Sequence, residues 1–210
     1  IDDVAAWCNI HFSTNYSNPL YCADNLYING ELATDVVIPD GVEKIPLYAF
    51  SCINLESIEI PDSVTEIGSM AFFFCLSLER VKLSNSLQEL KSETFFRSPF
   101  KEIIFPDSLK RIESEAIRFC YNIESIHIPK SVESIEGIVA YDTPNLKTIT
   151  VAEENKFYDS RDNCNAIIET ATNTLLKGCN TTIIPYGVEK IAHNAFSNCK
   201  NLTTLTIPKT

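Results

Sequence analysis

The sequence predicts an α/β solenoid, a coil of short strands and tight turns in which each unit touches only its neighbours. Three observations carry that expectation. A phrase running from Leu55 to Ile67 returns at 78–90, in shortened form at 100–112, at 123–135 and at 146–151, and its parts reappear at 36–45, 182–191 and 202–208. A proline column runs Pro39, Pro61, Pro106, Pro129, Pro185 and Pro208, with Ser84 and Ala152 in two slots, and its steps are 22 or 23 residues except one of 33. The apolar residues between these marks fall in repeating columns, and a composition 45% hydrophobic over 210 residues is enough to build a core from them.

Within one unit the elements follow in order. Leu55, Ile58 and Ile60 alternate with Ser57 and Glu59, the period-2 signature of a half-buried strand. Pro61 ends that strand because it has no N–H to give to a ladder. Val64 and Ile67 turn inward again after a corner. Gly68-Ser69-Met70-Ala71-Phe72 is too short for a full helix and predicts one helical or 3₁₀ turn that closes at Cys75. Phe50, Phe72, Phe95 and Phe196 form an aromatic column, with Trp7 as a fifth member and Ile117 and Ala140 filling two slots. Val42, Val64, Leu87, Leu109, Val132 and Val188 form an aliphatic one. Both read as core.

Two stretches break the pattern. Leu26 to Leu32 carries Asn29-Gly30, the strongest short hairpin signal. The long step, 153–182, contains two apolar runs around a polar turn and predicts a second hairpin. A turn centred on Ala171-Thr172 sets Cys164 opposite Cys179, which leaves a disulfide there open. Each hairpin leads into the phrase Ile-Pro-x-Gly-Val-Glu-Lys-Ile, at 38–45 and 184–191, so the insertion is a module of a larger design. The whole chain, 1–210, reads as one repeat domain with hairpin insertions near 20–35 and 153–182. Ala5-Ala6-Trp7-Cys8 looks like the tail of a preceding unit, and Ile207-Pro208-Lys209-Thr210 stops where another would start, as in a piece of a longer array.

Of eight cysteines, Cys52, Cys75, Cys120 and Cys199 share one repeat slot with Ser98 and Thr143. A slot that accepts Cys, Ser and Thr asks for a small side chain, so these read as free thiols. No Cys-x-x-Cys zinc spacing occurs. The run Asp159 to Asn165 holds oxygen donors but lacks the order of a calcium loop. Only His11, His127 and His193 are available as imidazole bases, and no glycine-rich phosphate loop is present. The chain therefore predicts no enzyme, no cofactor and no metal. A net charge of −11 argues against nucleic acid, whose phosphates need a basic face. No apolar run approaches the length of a membrane span.

At this point the motif Leu-x-x-Ile-x-Ile-Pro-x-x-Val-x-x-Ile-Gly-x-x-Ala-Phe-x-x-Cys, clearest at 55–75, resembles the BspA-like, or Treponema pallidum-type, leucine-rich repeats. It departs from the common leucine-rich repeat, since Ser63 and Ser131 stand where that class has asparagine. The resemblance implies a horseshoe with strands on the concave side and short turns on the convex side. It also implies surface-exposed or secreted proteins of host-associated bacteria and some protozoan parasites, with roles in adhesion, co-aggregation and immune recognition. It brings no shared catalytic residues.

The candidate binding face is then the set of outward strand positions: Ser57 and Glu59, Arg80 and Lys82, Glu102 and Ile104, Ser125 and His127, Thr148 and Thr150, Thr204 and Thr206. A protein or glycan on a host or neighbouring cell is the expected partner, read by an extracellular or cell-surface adhesive module. The alternative is an architectural spacer that presents another domain, since short polar side chains also keep a sheet soluble.

Overall fold

The computed structural model describes residues 1–137 and 139–208. Lys209 and Thr210, at the end of the last half-copy, lie outside the described residues. The repeats coil as the sequence predicts, and each regular unit contributes to three ladders. The first is the concave sheet. Asp35–Val37, Ser57–Glu59 and Arg80–Lys82 pair in parallel, with Val36, Ile58 and Val81 in register. Ser125–Ile128 and Thr148–Val151 form a second parallel pair on the same face, with Ile126 opposite Ile149. The second ladder is a five-stranded parallel sheet of Lys44–Ile45, Glu66–Ile67, Glu89–Leu90, Arg111–Ile112 and Ser134–Ile135.

The third ladder is made of turns. The expected helical turn at 68–75 is present as consecutive single turns, closed by Ala71 N–H to Gly68 C=O, Phe73 N–H to Met70 C=O and Cys75 N–H to Phe72 C=O. The intervening amides donate to the next unit: Phe50 N–H to Ala71 C=O at 2.8 Å, Phe72 to Thr94 at 3.0 Å, Phe95 to Ala116 at 3.0 Å. This alternation needs two left-handed residues per unit, and they are not glycines. Tyr48, Met70, Glu93, Glu115 and Asn194 occupy one column at φ 54–62°, and Cys52, Phe74, Arg97, Phe119, Asp142 and Asn198 the other at φ 55–66°. Each costs about 1–2 kcal/mol for a residue with a Cβ. The cost is offset because every such turn satisfies backbone groups that a lone loop would leave to water.

The core runs along the coil. Phe50, Phe72 and Phe95 are fully buried and stack nearly face to face, with centroids 5.7 and 5.3 Å apart and interplanar angles of 6° and 7°. Ile117 and Ala140 continue the column. Trp7 does not stack on it. It sits at the end of a short helix, Val4–Trp7, and donates its indole N–H to Ala49 C=O at 2.9 Å, closing the first turn of the coil through a hydrogen bond. Phe196 belongs to a separate small cluster with Ile168, Leu175, Ile184 and Ala195.

The insertion explains that separation. Ala166–Glu169 and Thr174–Gly178 form the expected hairpin, Tyr158–Asp159 adds to one side antiparallel, and Lys190–Ile191 adds to the other in parallel. The hairpin takes the place of a regular unit between two stretches of coil. Asn155 docks it: its amide donates to Pro129 C=O and Val132 C=O, while its oxygen accepts from the amides of Phe157 and Tyr158. Tyr158 Oη in turn accepts from Ile135 N–H at 2.8 Å, ending the second sheet. The first hairpin, Tyr27–Ile28 with Glu31–Leu32, turns on Asn29 and Gly30, both at positive φ, as the Asn-Gly pair requires.

The disulfide left open between Cys164 and Cys179 is not formed, and both are free thiols. The turn pairs Glu169 with Thr174 and Ile168 with Leu175, but a bulge between Ile167 and Ile168 shifts the register, so that Ala166 meets Gly178. One residue of slip carries Cys164 past Cys179. The third unit also lacks its concave strand: residues 101–105 pair with no neighbouring strand. Between the Cys75 slot and the Leu78 slot that unit has one residue fewer, Ser98-Pro99-Phe100, and Phe100 replaces a leucine. Phe100 is fully buried and packs edge-on to Phe95 at 5.7 Å, and Phe105 fills the next inward slot. The shorter connection and two larger rings draw the segment out of the ladder.

Candidate functional face

The outward positions of the concave strands sit where the alternation puts them. Glu59, Arg80, Lys82, Glu102, Ile104, His127, Thr148 and Thr150 are exposed, while Ser57 and Ser125 are half-buried. The strand Asp35–Val37 adds a row that the sequence reasoning missed, because the first copy of the phrase is too degraded to show its outward residues. That row matters electrostatically. Asp35 accepts hydrogen bonds from the Ser57 hydroxyl and from Arg80, the latter at 2.8 Å, and Lys82 pairs with Glu59. The Ser57 hydroxyl, with Arg80 behind it, holds the Asp35 carboxyl below its ordinary value, and Glu59 pushes the Lys82 ammonium up. The basic pair is thus neutralised within its own face. Further along, His127 Nδ1 lies 2.9 Å from Thr150 Oγ1.

Apolar positions interrupt this polar surface. Val37 is 63% exposed and Ile104 72% exposed. Beside Ile104, where the third strand is missing, a cleft of about 520 Å³ opens between Arg80-Val81 and Lys101-Glu102. Thr204 and Thr206 are exposed but lie in no strand. The insertion and the unit beginning at Thr182, with exposed Ile183 in its outward position, stand between them and Thr150. They are not part of the same continuous ladder.

The coil beneath this face is held by serine hydroxyls that reach carbonyls in register, three of them from one column and Ser84 from the proline slot. Ser63 Oγ donates to Val42 C=O, Ser84 to Val64, Ser108 to Leu87 and Ser131 to Leu109, at 2.9, 2.5, 2.7 and 2.7 Å. A serine ladder thus does what asparagine does in the common repeat. The sequence signal was there, in Ser63, Ser108 and Ser131 at one position after the corner, and it read only as a missing asparagine. The cysteine slot works similarly. Cys75 and Cys120 are buried and donate to the carbonyls of Phe50 and Phe95 at 3.0 and 3.1 Å. Burial pushes the Cys75 thiol up to about 12 and raises that of Cys120 as well. These are structural thiols, the opposite of activated nucleophiles.

A groove of about 680 Å³ lies along the second sheet, beside Cys8 and His11. Its cations are already paired, Lys44 with Glu66 at 3.0 Å and Lys91 with Glu89 at 3.4 Å. Burial first, then Asp3, pushes Cys8 up to about 11, so no thiolate stands next to His11. In the 159–165 loop, Arg161 grips both carboxylate oxygens of Asp159, which occupies the first oxygen donor of that run. Among the described residues no group of three or more His, Cys, Asp or Glu is placed to hold a metal ion, and no helix is long and apolar enough to cross a membrane.

Comparison with known proteins agrees with this architecture. A family model described as BspA type leucine rich repeat region matches residues 43–167 and 172–210, in six copies. Among solved structures, a leucine-rich repeat protein from Eubacterium ventriosum superposes with a TM-score of 0.75 at 22% identity, covering 94% of this chain and 52% of that one. A leucine-rich cell surface protein from Faecalibacterium prausnitzii gives 0.63 at 23% identity, over 90% of this chain and 57% of that one. The leucine-rich repeat protein of Treponema pallidum gives 0.57 at 21% identity, over 81% and 78%. The chain thus spans about half the length of the Eubacterium protein. No curated protein matches the sequence.

Proposed function

The chain belongs to the BspA-type leucine-rich repeat family, and on that footing we propose that it is a non-catalytic binding module, displayed on a cell surface or secreted, that holds a protein or glycan ligand on its concave sheet. One observation carries the reading. The concave face is a set of hydrogen-bonded strands, interrupted at the third unit, whose outward side chains are mixed, polar rows broken by the exposed Val37 and Ile104. A face built only for solubility has no use for aliphatic side chains at those points. The cell surface description of the Faecalibacterium protein supports the location. The spacer reading has its own support, because Arg80 and Lys82 are already satisfied by Asp35 and Glu59.

The test is binding of the purified chain to matrix proteins, serum proteins and mucin glycans, with Ser57→Arg/Thr148→Arg on the concave face and Leu76→Arg on the turn face as variants. Saturable binding that weakens about ten-fold or more only in the concave variant supports the proposal. Binding that both variants retain, or no saturable binding at all, overturns it in favour of a spacer.

A further inference from the structure

The break in the concave sheet is a place where backbone chemistry is left unfinished. In a parallel ladder, alternate residues of a strand bond to the neighbour on either side. Arg80 N–H donates to Glu56 C=O at 3.2 Å and Lys82 C=O accepts from Ile60 N–H at 2.9 Å, so both point toward the second unit's own neighbour. The amide and carbonyl of Val81 therefore point the other way, toward residues 102–104, and no partner meets them there among the described residues. Residues 102–105 make no backbone hydrogen bond either; in this segment only Lys101 C=O does, accepting from Glu124 N–H. On the far side of the third unit Ser125 and His127 likewise have no backbone bond to 102–105 among the described residues, whereas Asp35–Val37, Ser57–Glu59 and Arg80–Lys82 are bonded to one another in register.

The surroundings point to the kind of occupant. Ile104 projects from the floor, 72% exposed, beside half-buried Val81. Elsewhere on the face the charges are paired internally, yet Glu79, Lys101 and Glu102 at the cleft make no ion pair among the described residues. The cleft thus offers free backbone donors and acceptors, one apolar seat, and unpaired charges of both signs. Its volume of about 520 Å³ suits a few residues of peptide.

We propose that the cleft between the second and third units, at Val81 and Ile104, receives an extended peptide segment of a protein partner, bonded through its main chain to the free Val81 groups, with an aliphatic side chain on Ile104 and flanking acidic and basic side chains on Lys101 and Glu79 or Glu102. This is strand addition to an open sheet edge, in which main-chain bonds supply affinity and one side-chain pocket supplies selection. It rests on the concave-face reading and narrows it from a surface to a ligand class. Glycans lack the alternating amides and the aliphatic branch that the cleft offers.

The probe is a set of acetylated seven-residue peptides with a central Ile between Asp and Lys, compared with the same peptides carrying a central Asn and with versions N-methylated at alternate backbone nitrogens. Affinity is read by fluorescence polarisation, and the site by amide chemical shifts of the whole chain. Expected are binding about ten-fold tighter for Ile than for Asn, about ten-fold weaker after N-methylation, and shifts confined to Val81 and its neighbours and to residues 101–105. Ile104→Asp, at an exposed position, should weaken the Ile peptide by a similar factor while the circular dichroism spectrum stays unchanged. Equal affinity for Ile and Asn peptides, or indifference to N-methylation, overturns the proposal. If peptides fail while a matrix protein or mucin glycan still binds and shifts the amides of 125–128 and 148–151, the cleft assignment falls alone. If no ligand senses any concave variant, both readings fall.

Discussion

Replacing serine by alanine at two slots of this coil should have opposite consequences. Ser131 lies in the serine ladder, half-buried, with its hydroxyl donating to Leu109 C=O at 2.7 Å. Ser98 lies in the cysteine slot, fully buried, and its Oγ has no hydrogen-bond partner. Cys120, one unit on, reaches a carbonyl from that slot with its longer C–S bond. The Ser98 oxygen falls short. Removing the Ser131 hydroxyl deletes a bond worth about 1 kcal/mol net and strands a carbonyl that water reaches poorly, so Ser131→Ala should cost about 1–2 kcal/mol. Removing the Ser98 hydroxyl deletes no bond and relieves an unpaired polar atom, so Ser98→Ala should be neutral or stabilising by up to about 1 kcal/mol.

Urea denaturation followed by circular dichroism reads the difference directly. With a slope of about 2 kcal/mol per molar urea, Ser131→Ala should lower the midpoint by about 0.5–1 M, and Ser98→Ala should leave it in place or raise it. Ser98→Cys should raise it further, since the thiol packs as a small hydrophobe and reaches the carbonyl. Ser63 and Ser131 are several units apart, so their alanine variants should add to within about 0.5 kcal/mol. Equal destabilisation at Ser98 and Ser131 would refute the reasoning, because it would mean that volume, not hydrogen bonding, sets the cost at both slots.

Three further outcomes follow from the packing. A Cβ on Gly178 would lie 2.4 Å from Phe196 Cε1, so Gly178→Ala should cost about 1–3 kcal/mol and speed hydrogen exchange in 190–196 more than in 50–95. Lys177 is only 2% exposed and burial lowers its pKa, so stability should rise with pH between that lowered value and the ordinary lysine value of the unfolded chain. Lys177→Met should abolish that alkaline rise and stabilise the chain near neutral pH by about 1–2 kcal/mol, as urea midpoints across pH would show. Among the thiols, Cys22 is exposed, whereas Cys75 is buried with its thiol pushed up to about 12 and Cys120 is buried with its thiol raised. A disulfide reagent at pH 8 should modify Cys22 within seconds and Cys75 and Cys120 only on unfolding, a contrast that mass spectrometry of quenched samples can check.

How much of this was legible in the sequence depended on whether a feature leaves a mark at one position per unit. The strands did, since Ile58 and Ile60 alternate with Ser57 and Glu59, and the phenylalanine column did, since Phe50, Phe72 and Phe95 recur at the period and stack. The turn ladder was hidden, because its left-handed residues include Met70, Glu93, Arg97 and Phe119, none of which advertises positive φ. Only Asp142, Asn194 and Asn198 of these carry the usual signal. The cysteine pairing in the insertion was left open by the sequence for a related reason. A bulge is one residue of backbone geometry, with no required side chain, yet it decides which face every later residue takes.

The candidate site obeys the same logic with one twist. Its residues were identified by counting along the repeat, and the exposed rows lie where counting put them, but counting assumes that every unit pairs. The third unit does not, because a single missing residue and Phe100 shift its strand away while its inward side chains Ile103 and Phe105 stay buried. The core can absorb that shift, since large rings fill the space the missing residue would have held. The backbone cannot, since a hydrogen bond lost to a shift of an ångström or two has no side chain to restore it. A deletion that a hydrophobic column tolerates therefore appears on the opposite face as an open edge. That makes the third unit, and not the most regular copy of the phrase, the place where we site the partner segment.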